Sequence, residues 1–276
     1  MPGASIQMII NEISLNLNKP SVCITHPFPI FEFEEFFPQE LYKELEAVFP
    51  DKSLLPSQYE DKGGKFYLDN RMPEFAGVIE ATPIWGKLYH CFSAPSMIEK
   101  FYQFTRQFPS KRNPREAGPW SIVAPPPKFK LLKKLNRKWN ALVGAIQNKT
   151  RVYLGFQFSW LDGECFMGPH TDQPSKLISL MVYFPDEGCE GSEDMGTEFY
   201  QGKNSGETQK SWKTGMMKKN AMDQFFENHE VFYKSKFTPN KLVGFIKTSD
   251  SWHGLQPLKL PAGTRRRSLN INYYLA

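Results

Sequence analysis

The sequence of 276 residues has few cysteines, no long apolar run and no internal repeat. Its four cysteines lie far apart and form no CxxC pair, which argues against a structural zinc site and favours reduced thiols. No apolar stretch approaches the roughly 20 residues that cross a bilayer. The N-terminus lacks the basic start, apolar run and cleavage site of a secretory signal. We therefore expect a cytoplasmic protein without a membrane partner.

The abundant residue types describe a folded, aromatic-rich and mildly basic protein. Apolar residues make up 40% of the chain and charged residues 23%, which excludes bulk disorder. The chain contains 22 prolines, 23 phenylalanines, 11 tyrosines and 6 tryptophans, a composition typical of a packed core crossed by many turns. Its net charge of +5 makes nucleic acid the first partner to test.

The first half of the chain combines predicted helices with two short strands. The patterns predict strands at 27–33 and 66–68, and helices between Pro38 and Pro50, at about 83–93 and at 96–108. Residues 109–127 have no periodicity and are rich in proline and glycine, so we expect a long loop that lies across the fold.

Residues 128–138 are strongly basic, with six basic residues, no acid and leucines at 131, 132 and 135. This pattern predicts an amphipathic helix with a solvated basic face. A nucleic-acid-binding stripe is the alternative interpretation.

From residue 151 the pattern changes to short alternating runs that are separated by Gly, Pro, Asp and Asn turns. The runs are 152–159, 177–184, 197–200, 242–247 and 268–275. Several short strands of this kind predict a sandwich or a barrel. The lysine-rich stretch 201–236 is typical of an inserted flap, and we expect it to border the functional site together with the loop at 109–127.

Two histidines and one aspartate in this second half have the pattern of a metal site. His170 and Asp172 are separated by one residue, so on an extended segment both side chains point to the same face. His253 follows the predicted strand 242–247. Two histidines and a carboxylate form the facial triad of non-haem Fe(II) oxygenases, which leaves coordination positions open. The basic run 265–267 could anchor the far carboxylate of a chelating dicarboxylate.

The ordered set of HTD at 170–172, SWHG at 251–254 and RRS at 266–268 resembles the Fe(II)- and 2-oxoglutarate-dependent dioxygenases of the prolyl-4-hydroxylase-like group. The resemblance covers about residues 151–276 and is much less specific over the first half. It implies an α+β fold in which 151–276 form a double-stranded β-helix, or cupin-like jelly roll. Residues 1–150 would support this barrel with helices, as one composite domain.

The resemblance also implies the cofactor and the residues that hold it. Fe(II) would be bound by His170, Asp172 and His253, with His253 supplied from the sheet opposite His170, and 2-oxoglutarate would be the cosubstrate. The Arg-x-Ser pattern of the family fits Arg266 and Ser268, both pointing into the barrel. A one-residue slip would instead place Arg265 or Arg267 inward, and would push the apolar residues of the last strand into the polar mouth of the barrel.

Two further residues are candidates for the cosubstrate pocket. Gln157 and Tyr183 lie on predicted strands that neighbour the last one, and we expect them to complete the pocket. This expectation depends on the strand assignments alone.

The resemblance implies oxidative hydroxylation of a C–H bond, with O2 consumed and succinate and CO2 released. Related halogenases lack the carboxylate ligand, which leaves room for a halide on iron. Asp172 fills that position here, so hydroxylation is favoured over halogenation. Nucleic-acid demethylases of this superfamily carry a second arginine six residues after the anchor, and that position is Asn272 here, so we expect no nucleic-acid partner. We therefore expect a small polar metabolite as substrate, with sugar-related compounds among the candidates. A peptidyl (prolyl-type) hydroxylase and a non-oxidative, cupin-like metal-binding module are the alternatives.

Overall fold

A computed structural model of the chain describes residues 5–54, 60–61, 64–108, 116, 118–127, 129–203 and 219–276. The helices in these ranges are α1 (Ile6–Asn16), α2 (Gln39–Ala47), α3 (Pro73–Ala81), α4 (Pro83–Ser93), α5 (Pro95–Arg106), α6 (Lys130–Gln147) and α7 (Lys219–Asn228). The strands are β1 (Val22–Ile24), β2 (Ile30–Phe33), β3 (Glu60–Asp61), β4 (Lys65–Asp69), β5 (Trp120–Ile122), β6 (Thr150–Asp162), β7 (Glu164–His170), β8 (Lys176–Pro185), β9 (Glu198–Gly202), β10 (His229–Lys234), β11 (Leu242–Ile246), β12 (Trp252–Lys259) and β13 (Arg265–Leu275).

Prolines explain where the three consecutive helices of the first half begin. Pro73, Pro83 and Pro95 each occupy the first turn of α3, α4 and α5, where the missing N–H has no intrahelical partner to lose. The predicted helices at 83–93 and 96–108 correspond to α4 and α5, whereas α3 was not predicted. Its apolar face consists of only two buried side chains, which is too short a pattern to recognise in a sequence.

The strands form a nine-stranded sheet and a four-stranded sheet. The large sheet has the order β1-β2-β11-β8-β13-β6-β4-β3, with β5 added in parallel to β6, and the small sheet has the order β10-β9-β12-β7. Strands from the first half of the chain therefore belong to the large sheet, because β2 pairs with β11 and β4 pairs with β6. The first half thus supplies part of the sheet as well as the supporting helices that were predicted.

Hydrophobic cores lie on both faces of the large sheet. The first core joins helices α1 to α5 to residues of the large sheet such as Phe156, Leu269 and Ile271. The second core contains residues of both sheets, including Phe199, Val243 and Leu255. A third, smaller cluster packs Met222 and Phe225 of α7 against the small sheet. The mixed α and β composition agrees with the predicted fold class.

Parts of the sequence-based expectations fall outside the described residues. Residues 109–115 and 117 of the predicted loop at 109–127 are outside the described ranges, and β5 lies within the described part. Of the predicted flap at 201–236, residues 204–218 are outside the described ranges, and the remainder forms α7 and β10. All four cysteines are free, and no described helix is long and apolar enough to cross a membrane.

Candidate metal centre

The small sheet brings the two histidines of the predicted triad together. His170 is the last residue of β7, and His253 is the second residue of β12. The two residues are direct cross-strand partners. The expectation that His253 would come from the opposite sheet was therefore wrong. His253 does not end the strand at 242–246. It lies after a turn, in a new strand, and this strand β12 pairs with β9 on one side and β7 on the other.

Two residues next to the histidines allow this close pairing. Pro169 has no N–H to donate, and β7 tolerates it because this strand is at the edge of the small sheet. Gly254 follows His253, and a Cβ at this position would lie 2.6 Å from the carbonyl oxygen of Met167. Only glycine therefore lets β12 approach β7 so closely, which gives the SWHG sequence a structural reason.

The three predicted ligands converge on one point. One ligand atom from each of His170, Asp172 and His253 lies within 4.8 Å of the others. The two imidazole ring centroids are 4.2 Å apart, and His253 Nε2 is 3.8 Å from Asp172 Oδ2. Within the described ranges, no other group of three His, Cys, Asp or Glu residues converges in this way.

Backbone carbonyl groups fix the tautomers of both histidines. The Nδ1 of His170 lies 3.0 Å from the carbonyl oxygen of Gly168, and the Nδ1 of His253 lies 3.1 Å from that of Ser251. Because a carbonyl oxygen only accepts hydrogen bonds, Nδ1 carries the proton and the Nε2 lone pair is available to a metal. Burial lowers the pKa of His170, and it lowers the pKa of His253 to about 3. Both rings are therefore neutral at pH 7, as metal ligation requires.

The carboxylate of Asp172 is buried and only half satisfied. Its Oδ1 lies 2.9 Å from Nζ of Lys176, whereas its Oδ2 is buried without a hydrogen-bond partner among the described residues. Burial raises the pKa of Asp172, but the charge and hydrogen bond of Lys176 together with the two neighbouring histidines outweigh it and leave the pKa below its ordinary value. An orphaned carboxylate oxygen beside two imidazole lone pairs fits a divalent cation, since leaving such an oxygen unpaired is costly.

Arg266 lines the same cavity as the three ligands, and its volume is about 200 Å³. The Arg266 side chain is 1% exposed. Its Nε–H donates to the carbonyl oxygen of Met195 at 2.6 Å, and its guanidinium lies against the rings of both Tyr183 and Phe237, which also contact each other. No described carboxylate lies within 4 Å, and burial lowers the pKa of Arg266, as expected for a cation without a counterion.

The neighbouring arginines have the carboxylate partners that Arg266 lacks. Arg265 pairs with Asp51 at 2.7 Å, and Arg267 pairs with Asp186 at 2.8 Å. Neither ion pair belongs to the lining of the cavity that Arg266 shares with the three candidate ligands. Arg265 borders a separate surface depression. The structure therefore leaves Arg266 as the one member of the run that needs an anion from outside the described residues.

The other predicted pocket residues occupy two different positions. Ser268 and Gln157 line the cavity with Arg266. Tyr183 does not line it, and instead lies against the Arg266 guanidinium, with its hydroxyl 2.8 Å from the hydroxyls of Thr197 and Ser235. Gln157 and Tyr183 do lie on strands that flank β13, as predicted, opposite Asn270 and Ser268 respectively.

Several cavity residues were missed by sequence reasoning. Every second residue of β13 from Arg266 onward lines the cavity, so the same parity that selects Arg266 and Ser268 also indicates Asn270, Asn272 and Tyr274. Lys176 and Thr197 come from β8 and from the residue just before β9. No sequence signal identifies them, because Lys176 reaches the cavity through the turn between β7 and β8, and Thr197 reaches it through the pairing of distant strands.

The similarity of this chain to known proteins is limited to solved structures. No family model and no curated protein matches it. Three solved structures are similar to it over 96–97% of its length. A Pseudomonas putida prolyl-4-hydroxylase has 12% identity, a TM-score of 0.43 and 99% of its own chain covered. A Burkholderia pseudomallei oxidoreductase of the 2OG-Fe(II) oxygenase family has 10% identity, a TM-score of 0.42 and 89% covered. The non-heme alpha-ketoglutarate-dependent epimerase SnoN from nogalamycin biosynthesis has 7% identity, a TM-score of 0.45 and 83% covered.

Proposed function

We propose that the protein is an Fe(II)- and 2-oxoglutarate-dependent oxygenase that hydroxylates a C–H bond of a small polar metabolite. One observation carries the proposal: a convergent His-Asp-His set with an orphaned carboxylate oxygen shares a cavity with a buried arginine that has no counterion. A metal alone would explain the first part of this arrangement. Only a metal together with an anionic cosubstrate explains both parts.

Each residue of the site has a role that follows from its contacts. His170, Asp172 and His253 would hold Fe(II), which when bound with 2-oxoglutarate and O2 supplies the oxidising power for the reaction. Arg266 would bind the distal carboxylate of 2-oxoglutarate, with Ser268 and Gln157 as further hydrogen-bonding groups. The net reaction converts substrate C–H, 2-oxoglutarate and O2 into substrate C–OH, succinate and CO2.

The lining of the cavity supports a small polar substrate. Side-chain amides and hydroxyls from Ser159, Ser179, Asn270 and Asn272 line it, together with the ammonium group of Lys176. We propose also that the two sheets are the layers of a double-stranded β-helix, and that residues 1–150 and 151–276 form one composite domain around the shared core.

Anaerobic titration tests the reaction class. Apoprotein titrated with Fe(II) and then with 2-oxoglutarate should develop a weak visible charge-transfer band. The band should be absent in His170→Ala and in Arg266→Ala, and it should persist in Arg265→Ala, because Arg265 has its own partner in Asp51. Tight zinc or nickel binding that is insensitive to 2-oxoglutarate, without the band, would identify a non-oxidative metal-binding module instead.

A turnover screen tests the substrate class. Succinate formation is measured across sugars, nucleotides, amino acids and peptides, and each stimulating compound is examined by mass spectrometry for the gain of one oxygen atom. We expect stimulation by a small polar compound. Stimulation by peptides alone would establish a peptidyl hydroxylase and refute the metabolite proposal.

A further inference from the structure

Helix α6 carries large apolar side chains on a face that the rest of the described chain leaves uncovered. We call this face the apolar stripe. Its members are Leu131, Leu132, Leu135, Trp139, Leu142 and Ile146, and they are 49–76% exposed. At 100° per residue they fall within an arc of about 100° along the whole helix. Single exposed apolar residues are common on protein surfaces, but a continuous stripe of six marks an interaction surface.

The helix contacts the protein through a different face. Asn140 and Gly144 are buried and Val143 is partly buried, and these residues face strand β6. A Cβ at position 144 would lie 2.6 Å from the carbonyl oxygen of Lys149, so glycine permits this close contact. The sequence thus presents small and amide side chains to the protein and its large apolar side chains to the outside. The prediction of an amphipathic helix over 128–138 was correct in kind, but the helix extends to Gln147.

The surroundings of the apolar stripe are positively charged. Lys133, Lys134, Arg137 and Lys138 are exposed, and none forms an ion pair with a described carboxylate. The sequence contains no Asp or Glu between Glu116 and Asp162. An acidic counterpart for these charges must therefore come from another molecule or from a distant part of the chain.

A cavity of about 400 Å³ lies beside the stripe, between α6 and the ends of β6 and β13; its surface is mostly apolar and basic side chains surround it, and we call it the basic cavity. Arg137 and Lys138 line it from the helix, and Lys149 and Arg151 line it from the other side. Ala141, Ala145 and Leu275 form its apolar lining. A cavity with basic walls at the edge of an apolar stripe matches the chemistry of an anionic headgroup whose acyl chains lie beside it.

We propose that α6 binds the protein to an anionic lipid surface, with the apolar stripe in the interface and the basic cavity receiving headgroups. An 18-residue helix with Leu, Trp and Ile on one face and unpaired Lys and Arg on the other has the composition of an interfacial helix. A second copy of the chain is disfavoured because it would bring two basic helices together. The undescribed segments 109–115 and 204–218 are disfavoured as a cover because both carry net positive charge.

This proposal departs from the expectation that the protein has no membrane partner, which considered only a membrane span. It also replaces the alternative of a nucleic-acid stripe at 128–138, because phosphate binding requires the basic residues and leaves the apolar stripe unexplained. The proposal does not depend on the identity of the reaction.

Vesicle flotation tests the proposal with the full chain. Wild-type protein should float with vesicles of phosphatidylcholine and phosphatidylglycerol (7:3), and much less with phosphatidylcholine alone. Trp139→Asp should abolish flotation, and Trp139→Phe should retain it. The double variant Lys134→Gln, Lys138→Gln should lower the partition coefficient roughly thirtyfold, since each basic residue near an anionic surface raises that coefficient roughly fivefold. Met8→Asp, at an exposed apolar residue elsewhere, is the matched control and should float as wild type does.

Two further measurements make the outcome decisive. Circular dichroism verifies that each variant is folded. Light scattering after size exclusion, without lipid, tests self-association: a dimer that Trp139→Asp converts to a monomer would overturn the proposal in favour of a second copy. Absence of flotation of folded wild-type protein, equal flotation of Trp139→Asp, or vesicle-independent binding to an RNA oligonucleotide that Trp139→Asp leaves intact would also overturn it.

Discussion

Replacement of Arg266 by methionine tests whether Arg266 binds the cosubstrate or only stabilises the fold. The side chain is 1% exposed, and it makes hydrogen bonds to Met195 O at 2.6 Å and to Thr197 Oγ1 at 3.4 Å. Methionine removes a buried charge that has no described counterion, which stabilises the apoprotein, but it leaves the Met195 carbonyl without its donor, which destabilises it. These opposing effects are each of the order of 1–3 kcal/mol, so the net change in the free energy of unfolding should stay within about 2 kcal/mol.

The effect on 2-oxoglutarate binding should be much larger. Truncating one partner of a buried, hydrogen-bonded charge pair costs about 2–5 kcal/mol, which weakens binding at least about thirtyfold. At 100 times its Kd, 2-oxoglutarate stabilises the wild-type protein by about 2.7 kcal/mol, which corresponds to a rise in Tm of about 5–10 °C. The same concentration should stabilise Arg266→Met by about 0.9 kcal/mol or less.

Anaerobic thermal unfolding with and without 2-oxoglutarate, at saturating Mn(II), measures both the change in stability caused by the substitution and the stabilisation caused by 2-oxoglutarate. Arg265→Met is the matched control. Its ion pair with Asp51 is partly exposed, so its loss costs about 0–1 kcal/mol and should leave the rise in Tm unchanged. A rise in Arg266→Met equal to that of the wild type would refute the assignment of Arg266. An equal loss of the rise in both variants would attribute the effect to the basic run as a whole.

Two further predictions concern the metal centre and its support. Gly254→Ala should lower the free energy of unfolding by about 1–3 kcal/mol and weaken Mn(II) binding, because the new Cβ would displace β12 from the Met167 carbonyl. Gly77 occupies an exposed helix position with open space, so Gly77→Ala should instead raise the free energy of unfolding by about 0.5–1 kcal/mol. Chemical denaturation of both variants checks this contrast. Asp172→Ala should destabilise the metal-free protein by about 3–5 kcal/mol, because Lys176 is left buried without its carboxylate partner. Adding Lys176→Met to this variant should recover most of the lost stability. A double variant as unstable as Asp172→Ala alone would contradict the pairing.

The side of the cavity that contains Arg266 could be predicted because strand alternation is strict. Leu269 and Ile271 are fully buried against the helices, so the even-numbered residues of β13 must face the other way, toward the cavity. The same rule applied over the full strand would have added Asn270 and Asn272. The period of two fixes which face a residue occupies without any knowledge of the partner strands.

The arrangement of the ligands could be predicted only in part. The spacing of His170 and Asp172 is local, and it correctly placed the two side chains near one another. The position of His253 depends on the pairing of β12 with β7, and nothing in the sequence around residue 253 specifies that partner. Lys176 belongs to the same category, since its contact with Asp172 requires the chain to turn between β7 and β8.

Helix α6 shows a different limit of sequence reasoning. Amphipathic periodicity identifies an apolar face, and that face is ordinarily assigned to the core. In α6 the residues that contact the protein are Asn140 and Gly144, while Trp139 is 64% exposed. Periodicity measures only the segregation of apolar from polar side chains, and it does not state which surface the apolar side chains meet. Small residues opposite a carbonyl group, as at Gly144, are the local sign that a helix packs through its other face.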